Sequence, residues 1–339
     1  MLLSVLAFVP LILAAPGPEG PFADWKGFAE ARSGECVGPA GVIAPAIPIS
    51  AGGKRYSLVG HRLIALDKDA DDVLRIGVVS AIKDSRPETQ AALHSLLESL
   101  KNQKIDLLVA NGDLATNSFD MDVVFKQLAA EDLLVVVFTG NTESCGAFNQ
   151  ASDRAFAERK NLINGNWVRR LELDDGTLLT LPGYYDRRFA HTGGAARYDD
   201  KDLEDLRDIA QGAPLPLILT SHGPPKMEAK AGIDVATDAG NVGDSGMTEL
   251  IKDLKINFGI FGHILEAGGR ATDLTGKTAR APGRFHPSLY VNAGTANPDP
   301  WRMLDGSTGY GMALVVEIRP KDAKFTVERL KPSAVQSGL

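Results

Sequence analysis

The sequence predicts a layered α/β fold that occupies most of the chain and finishes in C-terminal β strands. Three observations predict it. Short apolar runs alternate with longer segments of helical period, the pattern of strands joined by crossover helices. Several of those runs are apolar at every position, as strands covered on both faces are. The 339 residues are 44% hydrophobic and 23% charged, which suits a folded globular protein and excludes a disordered chain, a collagen-like repeat and a disulfide scaffold. The formal charge of −7 argues against an electrostatic nucleic-acid binder.

The chain opens on an uncharged segment, residues 1–18, in which Leu2 to Ala15 reads LLSVLAFVPLILAA. A spanning helix needs about 20 apolar residues, so the run reads as a signal peptide or an N-terminal apolar anchor, with Ala14 and Ala15 near a cleavage point; a buried helix is the alternative. The expectation is an exported protein, whether periplasmic, secreted or held to a membrane by its N-terminus, with no integral membrane body. In an oxidising compartment Cys36 and Cys145 either pair as a disulfide or stay as two buried thiols. Residues 19–54 are rich in Pro, Gly and Ala without a period and read as a linker or loosely packed lead-in. Residues 55–330 form the domain and 331–339 a tail.

Within the domain, Arg55 to Leu66 reads as a first strand and Leu74 to Val79 (LRIGVV) as a buried one. Pro87 to Leu100 carries an apolar face at Ala91, Leu93, Leu96, Leu97 and Leu100, with Pro87 suited to a first helical turn. Leu107 to Ala110 is a strand, Met121 to Ala130 a helix, and Leu133 to Phe138 (LLVVVF) a strand. Phe148 to Asn161 is a helix, and Leu171 to Leu181 a hairpin turning at Asp175-Gly176. Helices over Leu203 to Ile209 and Met247 to Leu254 alternate with strands over Leu215 to Thr220 and Ile256 to Phe261. Ser288 to Asn292, Gly311 to Ile318 and Phe325 to Leu330 are the closing strands. Gly232 to Gly246 reads as a long loop near His222, lining either a ligand pocket or a partner surface.

Polar residues gather where these strands end, and open α/β sheets bind ligands beyond the carboxyl ends of their strands. The strings are Asn111-Gly112-Asp113, Gly140-Asn141-Thr142-Glu143, Ser221-His222-Gly223 and Gly262-His263-Ile264-Leu265. Each alone has an ordinary structural explanation: Asp as a turn or cap residue, Asn after Gly in a left-handed turn, His as a hydrogen-bonded strand end. Together Asp113, Asn141, His222 and His263 supply two oxygens and two imidazoles, a set suited to one divalent metal such as Zn, Mn or Fe.

The ordered set resembles the calcineurin-like metallophosphoesterase superfamily, whose motifs run DxH, GDxx, GNH[DE], a lone His and GHxH. The matching strings here are Ala81-Ile82-Lys83, Gly112-Asp113, Gly140-Asn141-Thr142-Glu143, His222 and Gly262-His263-Ile264-Leu265. LPGYYD at Leu181–Asp186, SHGPP at Ser221–Pro225 and VNAGT at Val291–Thr295 support the match. The resemblance implies a layered α/β-β-α sandwich, divalent metals as cofactors and a phosphate ester as ligand. It also implies two metals about 3.5–4 Å apart that activate a hydroxide.

By the same resemblance Asp113 bridges the metals, and Asn141, His222 and His263 belong to the second. Every position private to the first has changed, to Ala81, Lys83 and Leu265, and Thr142 stands where the family has the histidine that assists the leaving group. A second metal ion is therefore not expected, and a Lys83–Asp113 pair is one way the site could do without any. Three readings stay open. One is a mononuclear phosphoesterase in which Lys83 takes over part of the charge. Another is a pseudoenzyme that binds a ligand or a protein partner. The last is new chemistry on the old fold from His191, His286, Cys145 or Glu143, against which stands the plainer reading of both histidines as surface or loop residues and Glu143 as a helix cap. His61 and His94 have no motif context, and Ser221 beside His222 is no triad signal because neighbours on a strand point opposite ways.

Overall fold

The structure is a computed structural model and describes residues 25–38, 46–191 and 193–330. Leu74–Val79, Leu107–Asn111, Leu134–Phe138 and Leu162–Asn164 lie parallel in one sheet. Met312–Ile318 and Ala323–Arg329 extend it antiparallel beyond Leu74–Val79, giving six strands among the described residues. The second sheet has nine strands among the described residues. Gly176–Leu181, Leu217–Ser221, Phe258–Phe261 and Leu289–Asn292 run parallel at its centre.

Side-chain alternation decides the layering, because successive residues of a strand face opposite ways. Ile76, Val78, Leu107, Val109, Leu134 and Val136 meet Leu178, Ile218, Ile260 and Val291 between the two sheets. Their sequence neighbours Val79, Leu108, Ala110, Val135 and Val137 face outward onto the helices Pro87–Asn102, Ser118–Ala129 and Cys145–Glu158. On the other side Leu179, Leu219, Phe261 and Tyr290 pack on Asp200–Ala210 and Ser245–Asp253. The result is the four-layered sandwich, helices outside two stacked sheets, with the C-terminal strands in the first sheet.

Local chemistry sets the helix starts. Asn117 accepts the Asp120 N–H, and Asp199 and Asp202 form a reciprocal capping box. Such caps are worth about 1 kcal/mol each.

Several boundaries differ from expectation. Arg55 to Leu66 is a hairpin, Lys54–Val59 against Arg62–Ala65, because Gly60 (φ +60°) and His61 turn the chain. The lead-in segment contains the helix Trp25–Ala31 and the strand Ile47–Ala51, whose Ile49 is buried in the inter-sheet core. The later hairpin pairs Leu173 with Gly176, so its turn residues are Asp174-Asp175. The helix expected from Phe148 begins at Cys145, and Leu162–Asn164 adds a short strand after it.

Cys36 and Cys145 form a disulfide with Cα atoms 5.0 Å apart, so the alternative of two free thiols does not hold. The bond fixes the lead-in to the first residue of a helix, where Asn149 Nδ2 also donates to the carbonyls of Ser33 (3.2 Å) and Glu35 (2.7 Å). The apolar run 1–18 and the tail 331–339 lie outside the described residues. Among the described residues no helix is long and apolar enough to cross a membrane.

Candidate metal centre

Four strand ends from both sheets deliver the polar strings to one place. Seven non-glycine residues among those described have positive φ, and four of them stand here: Ala81 (+48°), Lys83 (+74°), Asp113 (+56°) and His263 (+63°). Left-handed non-glycine residues cost about 1–3 kcal/mol each and persist where their surroundings over-determine them. The Ala81 N–H donates to the Gly112 carbonyl (2.9 Å) and the Lys83 N–H to the Asp113 carbonyl (3.0 Å), tying the first loop to the second. Gly140 leaves room for the Asp113 carboxylate: a Cβ there would collide with Asp113 Oδ1 and stand 2.6 Å from its backbone nitrogen.

Asp113, Asn141, His222 and His263 converge. His222 Nε2 lies 3.0 Å from Asn141 Oδ1 and 3.2 Å from Asp113 Oδ1. His263 Nδ1 lies 3.0 Å from the same Asn141 Oδ1. Asn141 Nδ2 donates to the Phe189 carbonyl (2.7 Å), which turns the amide oxygen toward the imidazoles. His222 Nδ1 sits 3.0 Å from the Asn111 carbonyl. A carbonyl only accepts, so Nδ1 carries the proton, and in the neutral ring Nε2 presents a lone pair. That lone pair faces two oxygen acceptors. Such an arrangement is unfavourable unless the imidazole takes a second proton or a cation lies among the four atoms. Two oxygens and two imidazole nitrogens fit a divalent cation of the Zn, Mn or Fe type.

The electrostatics agree. Burial opposes the Asp113 charge, yet His222, His263 and the Thr142 hydroxyl hold its carboxyl well below the usual range. Burial likewise opposes a charge on His222, but the Asp113 carboxylate raises its pKa. His263 is pushed down to about 3 by burial and by its neighbour His222. Its ring packs on Tyr184, centroids 4.1 Å apart, with Phe189 at 5.9 Å.

The residues at the other motif positions do different work. Ala81 and Leu265 are buried and apolar. The Thr142 hydroxyl donates to Asp113 Oδ1 (3.1 Å). Lys83 does not pair with Asp113, and no carboxylate among the described residues pairs with it. Its ammonium lies 5.2 Å from the centroid of the Trp301 ring. Glu143 does not cap the following helix, whose N-cap is Ser144. It is fully buried and accepts the N–H groups of Leu114 and of Gly140 (2.8 Å), clamping together the loops that carry Asp113 and Asn141. Burial and the nearby Asp113 charge raise its pKa.

The remaining sequence candidates separate. Cys145 is in the disulfide and offers no thiol. The exposed His191 donates its backbone N–H to the Asn141 carbonyl (3.1 Å) and so stands at the rim. His286 bridges to Ala323, which pairs with Ile318, itself opposite Leu74 at the far end of the first sheet. His61 is in a hairpin turn, His94 is exposed on a helix, and Ser221 Oγ donates to the Leu181 carbonyl (2.7 Å), away from His222. The Gly232 to Gly246 loop braces the wall behind His263, its Val242 carbonyl accepting both Tyr184 (3.3 Å) and Tyr185 (2.9 Å) hydroxyls. Tyr184, Phe189 and Trp301 escaped sequence reasoning. Only the LPGYYD string hinted at the first.

A family model described as calcineurin-like phosphoesterase covers residues 74–267, more than half of the chain. The chain belongs to the calcineurin-like phosphoesterase family. One solved structure aligns over 76% of this chain and 100% of its own, with 15% identity and a TM-score of 0.55. TT1561 of Thermus thermophilus aligns over 70% and 99%, with 15% identity and a TM-score of 0.49. A dimetal phosphatase from Danio rerio aligns over 77% and 100%, with 11% identity and a TM-score of 0.45. No curated protein matches the sequence. For a calcineurin-like phosphoesterase, fold and descent are thereby set, while activity has to be argued from the site itself.

Proposed function

We propose that this family member holds one divalent cation at Asp113, Asn141, His222 and His263 and binds a phosphate ester without two-metal hydrolysis, as a ligand-binding pseudoenzyme. One observation carries the reading: four donor atoms of the second-metal type converge, while Ala81, Lys83 and Leu265 offer no carboxylate or imidazole at the positions matched to the first. The cation, when bound, supplies positive charge that holds a phosphoryl oxygen. Thr142 donates a hydrogen bond but does not titrate near neutral pH, so no group at that position protonates a leaving alkoxide. Loss of such a group costs about 10²–10⁴ in rate. The Cys36–Cys145 disulfide supports export, since such bonds persist in oxidising compartments.

A second reading, a mononuclear phosphoesterase, is favoured by Lys83, whose ammonium has no carboxylate partner among the described residues and could offset charge on a phosphoryl group. Turnover of a chromogenic phosphodiester by Zn- or Mn-loaded wild type separates the two. The first reading predicts a rate equal to that of His222→Ala, with inorganic phosphate bound by wild type only. A wild-type rate well above the variant's would overturn it in favour of the mononuclear enzyme.

A further inference from the structure

Beside the centre lies an open cleft of 490 Å³, lined by Thr237, Glu266, Trp301 and Met303 among others. Two links join it to the metal loops. Glu266 follows Leu265 in the turn that begins one residue after His263-Ile264. Lys83 spans the gap: its backbone is bonded to the Asp113 carbonyl, and its ammonium lies 5.2 Å from the Trp301 centroid. Trp301 is 41% exposed, one of few large apolar side chains so open to solvent among the described residues. The Glu266 carboxylate is already engaged, accepting the Thr237 N–H (2.8 Å).

We propose that this cleft is a subsite for the organic half of the ligand, and that this half is a flat, unsaturated ring system. The inference rests on the phosphate-binding reading above and adds the ligand's class to it. The ammonium lies over the indole ring, and the indole's uncovered surface together with that cation offers two attractions that an aliphatic group cannot use together. A planar π-system stacks on the indole beyond what its area burial yields. The ammonium then stands at the junction of ring and phosphoryl group, where it meets the anionic oxygens. The volume suits a small ring system, within the usual range of about 300–1,000 Å³ for small-molecule sites. Lys83 thus acts as a positioning residue at the join, in place of a metal ligand.

The test is calorimetric titration of the metal-loaded full chain with phenyl phosphate, glycerol 1-phosphate and inorganic phosphate. Phenyl phosphate is expected to bind about three- to tenfold more tightly than glycerol 1-phosphate. Trp301→Leu should erase that preference while leaving metal content and inorganic phosphate affinity unchanged, and Trp301→Phe should keep most of it. Lys83→Gln should weaken both esters by the same factor. Equal affinities for the two esters in wild type, or a preference that survives Trp301→Leu, would overturn the inference and leave the phosphate-binding reading standing. Absence of metal uptake, or of any phosphate binding, would overturn that reading and this inference with it.

Discussion

Glu143 shows how much of the site depends on a residue that touches no ligand atom. Its carboxylate accepts the backbone N–H of Leu114 on one loop and of Gly140 on the next, and so sets the spacing of Asp113 and Asn141. In Glu143→Gln one acceptor oxygen becomes an NH₂ group facing an N–H donor. We expect a loss of about 1–3 kcal/mol in urea unfolding, together with weaker metal uptake; unchanged stability would mean that the clamp is not needed. At this scale the convergence of Asp113, Asn141, His222 and His263 was legible because Asp, Asn and His at strand ends are chemically distinctive and stand in a fixed order. The orientation of Lys83 was not. A pair with Asp113 follows from charge alone, but the ammonium goes to Trp301, 218 residues away in sequence, and no local pattern announces that contact.

The elements were legible where periodicity was strong, as in the all-apolar strands Leu107–Asn111 and Leu134–Phe138 and the helix Pro87–Asn102. Turn chemistry was less so: Gly60-His61 splits what reads as one strand, and the second hairpin turns at Asp174-Asp175 where the Asp-Gly signal pointed one residue later. That turn has a measurable consequence. Burial and the charges of Asp174, Asp69 and Asp71 push Asp175 up to about 6 from an ordinary 3.8. The folded state then holds a proton that the unfolded state releases, so stability falls as pH rises from about 4 to about 6. Asp175→Asn should raise the melting temperature at pH 7.5 and leave it unchanged at pH 4. An equal shift at both values would contradict the assignment.

The disulfide acts on another element, the helix Cys145–Glu158, four residues beyond Asn141. It closes a sequence separation of 109 residues. Cys36→Ser should therefore lose about 2–4 kcal/mol under oxidising conditions and match wild type once both are reduced; a variant as stable as oxidised wild type would show that the bond does not form.

At the scale of the whole molecule, two stacked sheets bring four strand ends from both halves of the domain to one crevice. Ala81 and Lys83, at the positions matched to the first metal, hold left-handed conformations there. The two-sheet layering was legible through the family resemblance alone, because strands apolar at every position show no alternation in sequence. The aromatic contacts were not: Tyr184 and Phe189 pack on His263 from one connection, and Trp301, in a short strand more than 100 residues later, meets Lys83 only through the fold. The central claim is that one metal position remains and the other has gone. Elemental analysis of untagged protein, purified without chelator and then saturated with Zn or Mn, tests it most directly. The account predicts about one metal per chain, none in His263→Ala, and a second only when Ala81→Asp, Lys83→His, Leu265→His and Thr142→His are combined. Two metals in wild type, or none after saturation, would contradict it.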